Sequence, residues 1–445
     1  MTTDLISLLE DCIRRAKALG ADAADALAYD SQSLSVARRL DRPERLERSE
    51  SKDLGLRVFV GQRQAMVSSS ERTPAALGEL VERAIAMARA VPEDSYCGLA
   101  DPDQLAKNWP DLDMADPAEP PVDRLIESAQ LAEAAARAVP GITNSEGAEA
   151  GWSHSAIALV ASNGFAGGYQ RTGHSLSVSV LAGEGAGMER DYDFTSAVHA
   201  ADLRDPAEVG ASAGERAVRR LNPRKGETAT LPVVFDWRVA GGLIGSLAGA
   251  ISGGSITRGT SFLKDSMGEL LFADGVNIID DPSIKRGMRS RPFDGEGVAP
   301  ARRAVIENGR LTTWILDLRS ARQLGLATTG HAARGTGGPP SPSPSNLMLM
   351  PAAQSPAEMI GEIERGLYIT ELMGMGVNGV TGDYSRGAAG FWIEKGQLAF
   401  PVSEMTVASN LKEMFRHLTP ANDLVRRYGI DSPTVRIDGM TVAGR

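Results

Sequence analysis

Two cysteines in 445 residues, Cys12 and Cys97, are too few and too unevenly placed for a disulfide framework or a metal knuckle, and they fit a reducing compartment. The carboxyl-terminal half has none, and Cys12 reads as core filling on a helix rather than a reactive thiol. Histidine is scarce too. Five are present, and no two stand at the helical spacing of shared metal ligands. Positive charge is not in excess: 47 Lys and Arg against 57 Asp and Glu leave a net charge of −10, which argues against a nucleic-acid-coating surface. The opening MTTDLISLLEDC lacks the basic-then-apolar order of a secretory signal, so the expectation is a cytoplasmic protein. Gly253-Gly254 and Gly335-Thr336-Gly337-Gly338 precede no Lys-Ser/Thr pair and do not follow a dinucleotide turn, so neither reads as a phosphate cradle. What is left is a globular composition, 42% hydrophobic and 23% charged, long enough for two or three domains.

The chain is organised around Leu231 to Leu263. A buried strand (Leu231 to Phe235) and a cap at Asp236 lead into a helix with no charge between Arg238 and Arg258. Gly241, Gly245, Gly249 and Gly253 recur every fourth position and share one face of it. Each helical glycine costs about 1 kcal/mol relative to alanine, so the stripe predicts a closely packed neighbour. The uncharged run also has the length of a membrane span, but nothing else in the chain looks membranous, and a buried central helix is the expectation.

The amino-terminal end predicts an α+β unit over 1–91: a helix from Thr3 to Leu19, five strands (Ala24 to Tyr29, Ser33 to Arg38, Arg45 to Ser49, Leu54 to Val60, Gln64 to Ser69) and a helix opened by Thr73-Pro74. A Pro- and Asp-rich linker follows at 92–121, where Asp111, Asp113 and Asp116 lack the spacing of a calcium loop. A second α+β unit over 122–222 repeats the plan without repeating the sequence, with strands at Ala148 to His154, Ala156 to Ala161, Phe165 to Thr172 and Ser175 to Ala182 and a hairpin turn at Asn163-Gly164. The rest, 223–445, predicts a β-rich domain around the glycine-rich helix, with a hairpin turning at Glu307-Asn308-Gly309. The run GTGGPPSPSPS from Gly335 to Ser345 predicts an exposed loop or lid without regular structure.

Among chemically capable groups, His331 before the proline loop and the polar cluster Gly382-Asp383-Tyr384-Ser385-Arg386-Gly387 are the best placed. The other histidines, His154, His174, His199 and His417, read as structural or solvated. No histidine–carboxylate–serine order stands out.

Five long segments, LIGSLAGAISGGSITRGTSFL, RPFDGEGV, TTGHA, ITELMGMGVNGVTGDYSRGAAGFWIEKG and FPVSEMTVASNLKEMFRHL, resemble the TldD/PmbA metallopeptidase family, in its PmbA (TldE) branch. The likeness covers essentially the whole chain. It implies a cytoplasmic heterodimer of two paralogues that cleaves unfolded peptides such as bacteriocin precursors and antitoxins; older naming ties the branch to modulation of DNA gyrase. The zinc-bearing paralogue carries an HExxxH helix and a cysteine near its carboxyl terminus. Histidines at that spacing lie roughly 140° apart on an ideal helix, so sharing a metal requires a distorted turn. Setting Thr257 to Ser261 against the corresponding turn of the paralogue places Ile244 and Gly249 at the histidine positions and Gly245 at the glutamate. None of these can bind zinc or move a proton.

The resemblance therefore implies a non-catalytic subunit that binds no cofactor itself. Zinc is expected in a TldD-like partner, an unfolded peptide is the substrate, a homodimer stays open, and neither nucleic acid nor membrane is a partner. An extended peptide could be gripped at a free strand edge. Arg258, His331, Asp383, Tyr384 and Arg386 are the candidate peptide- or partner-contacting residues, in or near the loops at Ser252, Gly335 and Asp383. Two other classes remain open: a regulatory protein acting on topoisomerase or another client, and an independent hydrolase using Asp294, Glu296 and Asp383.

Overall fold

A computed structural model describes residues 2–444. The amino-terminal half is built from α1 (Thr2–Ala18), β1 (Ala23–Arg39), β2 (Arg42–Val60), β3 (Arg63–Ser69), α2 (Pro74–Ala90), α3 (Val122–Ala138), β4 (Ile142–Ala161), β5 (Ala166–Ala182), β6 (Glu189–Ala197) and α4 (Pro206–Arg219). The two α+β units share a single antiparallel sheet of order β3-β2-β1-β4-β5-β6, joined at its centre by β1 and β4. That order is the same read from either edge inward, so the repeated plan is a repeated topology.

Four of the strands run through points where the sequence predicts breaks. Polar Asp30-Ser31-Gln32 predicts a break, yet Ser31 pairs with Ser51 on one side and Ser155 on the other. Ladder hydrogen bonds use only the backbone, so Ser and Asp are tolerated wherever their side chains reach water. Ala24, Ala26 and Ala28 of β1 pack with α1 and α2, and Leu34 and Val36 of the same strand lie in a second core with α3 and α4. All five positions are even, which places both helix pairs on one face.

The opposite face carries Leu27, Ile157 and Leu159. It is covered by residues 92–121, which are a strap rather than a free linker: Ala100, Ala106, Leu112 and Met114 are buried, and Trp109 meets Phe293 edge-on at 5.1 Å.

The carboxyl-terminal half begins with β7 (Ala229–Phe235), α5 (Trp237–Ala250) and α6 (Gly253–Thr257). β7 lies parallel to Arg365–Met373 and antiparallel to Val435–Ala443. Gln397–Asn410 pairs with both Asp383–Glu394 and Val435–Ala443, closing these five strands into a ring. A second sheet includes Ile278–Asp280, Arg303–Glu307 and Leu347–Leu349. Leu243, Ile244 and Leu247 of α5 join the core that both sheets enclose.

The uncharged run is not one helix. Ile315 donates its N–H to Ile251 and accepts from Gly253, so a strand-like bridge interrupts the run after 14 helical residues. No helix among the described residues is long and apolar enough to cross a membrane. The expected hairpin forms across Asn308-Gly309, both with positive φ.

The proline loop differs from expectation. Ser341–Pro342 pairs with Ala332–Ala333, and Ser343 donates to the His331 carbonyl at 2.8 Å. The Thr336 carbonyl sits on β2 at Gly55, where an added Cβ would lie 2.3 Å from it. The loop ties the two halves together instead of hanging free, because prolines need no ladder N–H at an edge.

Candidate functional site

The glycine stripe of α5 faces outward over part of its length. At Gly241 an added Cβ would meet the Ile430 carbonyl at 3.2 Å, and at Gly253, in α6, it would meet Ser320 Oγ at 2.3 Å. Gly242, Gly245 and Gly249 would meet nothing within 4 Å. The close neighbour predicted for the stripe is absent in its middle, because the core is filled by the other side of the helix. Ile244 is fully buried there, Gly245 is half-buried and Gly249 is exposed.

Beside this face a cleft of about 380 Å³ opens between β6, α5 and Arg365–Met373, reaching Gly242, Leu372 and Arg386. Its wall is ion-paired. Arg238 binds Asp191 at 2.9 Å, and Arg220 binds Glu371 at 2.6 Å and Glu189 at 3.3 Å. Burial works against the Arg238 charge, yet Asp191 and Asp236 outweigh it and hold the guanidinium more firmly protonated. Arg386 is half-buried, with a long bond of 3.5 Å to the Leu372 carbonyl.

The other nominated residues fall in separate places. Arg258 is exposed at the end of α6. Asp383 is exposed and accepts from Thr381 Oγ1 at 2.7 Å and Asn410 Nδ2 at 3.1 Å, bonds that hold its carboxyl below the usual value. Tyr384, next in the strand, points into the core, where burial pushes its phenol up to about 12.

His331 is corrected from contact residue to internal brace. It is 2% exposed, bonded through Nδ1 to Thr329 at 2.8 Å and through Nε2 to Asp280 at 3.0 Å. Burial opposes the Asp280 charge, but hydrogen bonds from His331 and Ser345 keep its carboxyl below the ordinary value. Thr329 and Ser345 flank the proline loop, which explains why a histidine there looked available in the sequence.

Asp294 and Glu296, the carboxylates of the hydrolase alternative, are buried away from Asp383. Asp294 accepts the N–H groups of Glu296, Val298 and Ala332, and burial still raises its pKa. Glu296 accepts from Leu318 N at 2.9 Å and lies 3.8 Å from Arg57. Burial, with only partial relief from Arg57, pushes it up to about 8. It closes a cluster that the sequence did not reveal: Asp25 holds Arg57, with Nε–Oδ2 at 3.0 Å, and Arg334 at 2.6 Å, all buried between β1, β2 and the carboxyl-terminal half. Both groups pull the Asp25 carboxyl down despite its burial.

A raised carboxyl means that the folded chain binds a proton the unfolded chain has released. Stability contributed by Glu296 is therefore complete below ~4.3, its unfolded value, and is lost as pH climbs from there through about 8. Thermal unfolding scans from pH 5.5 to 9 should show the wild type losing melting temperature across this window and Glu296→Gln losing distinctly less. Parallel profiles would rule the effect out.

Among the described residues no three or more His, Cys, Asp or Glu side chains gather so as to hold a metal ion.

Three consecutive stretches match profiles described as PmbA/TldA metallopeptidase domain 1 (residues 24–88), central domain (115–221) and C-terminal domain (228–444). The chain is 41% identical over 443 residues to Metalloprotease PmbA of Escherichia coli O157:H7, covering 98% of this chain and 96% of that protein. A crystal structure from Bacteroides thetaiotaomicron VPI-5482, described as a proposed modulator of DNA gyrase, matches with a TM-score of 0.91 and 28% identity over 99% of this chain and 98% of that one. The structure of TldE from Thermococcus kodakarensis matches with a TM-score of 0.87 over 98% of this chain and 100% of that one; at 20% identity the likeness speaks for the fold alone.

Proposed function

Since this chain belongs to the PmbA/TldD metallopeptidase family, we propose that it is the non-catalytic subunit of a heterodimeric peptidase whose zinc is carried by a TldD-like partner. The outer face of α5 carries the reading. The correspondence implied by the resemblance assigns the metal ligands and base of the partner to Ile244, Gly245 and Gly249. Ile244 is turned into the core, and the two glycines present only backbone. This donor set does not fit zinc, which takes nitrogen, sulfur or carboxylate ligands.

The same bare backbone suits a second polypeptide, because absent side chains let another chain approach closely. Next to it the turn over 373–380 exposes Met373, Val377 and Val380, and Met375 is 99% exposed. Exposed apolar side chains gathered within one short segment are a mark of an interaction site. Unfolded peptides, such as precursor peptides or antitoxins, are the substrate class of this reading.

Mixing the purified chain with its zinc-bearing paralogue should restore cleavage of an unfolded peptide that neither performs alone. Gly249→Trp should prevent co-elution of the two without lowering the melting temperature of this chain. Chelator-sensitive cleavage by this chain alone would overturn the assignment. The description of the Bacteroides relative favours a second reading, a regulator of DNA gyrase; capture of gyrase without the paralogue, together with an inert mixture, would support it.

A further inference from the structure

We propose that a separate cavity, on the strap-covered face of the six-stranded sheet, binds a small carboxylate with an apolar body. The cavity, of about 210 Å³, lies between β1, β4 and β5 and two segments of the carboxyl-terminal half, 291–295 and 332–334. Leu27, Ile157, Leu159 and Phe293 supply apolar walls, and Tyr29 and Tyr169 line it as well. This volume falls below the ~300–1,000 Å³ of sites for drug-sized ligands, so the occupant is the size of one residue.

Three arginines and one carboxyl group also line the cavity: Arg171 on β5, Arg291, Arg334, which Asp25 holds, and Asp294. Arg171 has one long hydrogen bond, Nη2 to the Gly287 carbonyl at 3.4 Å. Burial holds its pKa below the ordinary value, and the groups that oppose this are tyrosines, not carboxylates. Arg291 donates to the carbonyls of Ala332 at 3.4 Å and Ser343 at 2.7 Å, and its Nε has no partner. Neighbouring Arg289 is likewise bonded to Ser343 and to the Pro344 carbonyl.

The nearby carboxylates are already engaged, Asp280 by His331 and Ser345 and Asp294 by three backbone N–H groups. A guanidinium withdrawn from water without a counter-ion is costly, and an entering carboxylate supplies one in the two-point geometry that arginine favours. The apolar walls select against a bare inorganic anion. The site lies away from the α5 surface and does not depend on the subunit reading.

Titration calorimetry on the full chain tests this with five probes: N-acetylphenylalanine, the tripeptide Ala-Ala-Phe, the carboxamide of each, and inorganic phosphate. Each free acid should bind at least ~10-fold more tightly than its amide, and phosphate should bind weakly, because the carboxylate contact is charge-assisted. A tighter tripeptide marks a peptide terminus as the natural occupant; equal affinities mark a free acid. Arg171→Gln should weaken binding of the acid ~10-fold and Arg171→Lys less, both with an unchanged melting temperature in the absence of ligand. No binding by either acid, equal affinity for acid and amide, or phosphate binding as tightly as the acids would overturn the proposal.

Discussion

Asp25→Ala is expected to lower the stability of the chain by about 3–5 kcal/mol, the range for breaking a buried ion pair from one side. Asp25 is 1% exposed and is the shared partner of Arg57 and Arg334, whose side chains are 4% and 0% exposed. Removing the carboxylate strands two guanidiniums. Arg334 already has Nε and Nη2 without partners, so its link to Asp25 cannot be replaced by an existing one. Glu296 can respond, since its carboxyl sits 3.8 Å from Arg57 and would ionise at lower pH once Asp25 is gone. That response is partial, because Leu318 and the neighbouring Asp294 hold Glu296 in place. Urea unfolding should show the loss in the transition that separates the sheet from the carboxyl-terminal half. A shift under about 1 kcal/mol, the scale of an exposed pair, would mean that the cluster is open to water.

Alanine at glycine is expected to act in opposite directions on two helices. In α4, Gly210 and Gly214 lie against α3. A Cβ at Gly210 would stand 2.1 Å from the Ala132 carbonyl, and one at Gly214 would stand 2.6 Å from Val139. At Gly210 the obstacle is backbone, which cannot rotate away, so Gly210→Ala should destabilise by about 1–3 kcal/mol or more despite the better helix propensity of alanine. In α5, Gly245→Ala and Gly249→Ala meet open space and should each stabilise the isolated chain by up to about 1 kcal/mol. Melting temperatures of the variants report the sign directly. If Gly245→Ala fell in line with Gly210→Ala, the outer face of α5 would be covered within the chain, and the docking surface proposed above would be lost.

Local chemistry in the sequence was enough to place helix starts and tight turns. Thr73-Pro74 opens α2 by capping a backbone N–H group, and Asn308-Gly309 turns its hairpin because both residues accept positive φ. The mixed α+β architecture was legible as well, since helical and strand periodicities follow from residue type. Where one element meets another was not. Asp25 alternates with Ala24 and Ala26 as a solvent-facing strand residue would, and only the carboxyl-terminal half, closing over that face with Arg334, makes it a buried ion. His331 looked free because its partner Asp280 is 51 residues away. The glycine stripe was visible as a pattern, but which of its members have a neighbour depended on where Ile430 and Ser320 arrive. Periodicity records which side of an element differs from the other; burial and charge pairing depend on distances between segments far apart in the chain, and those exist only once the chain has folded.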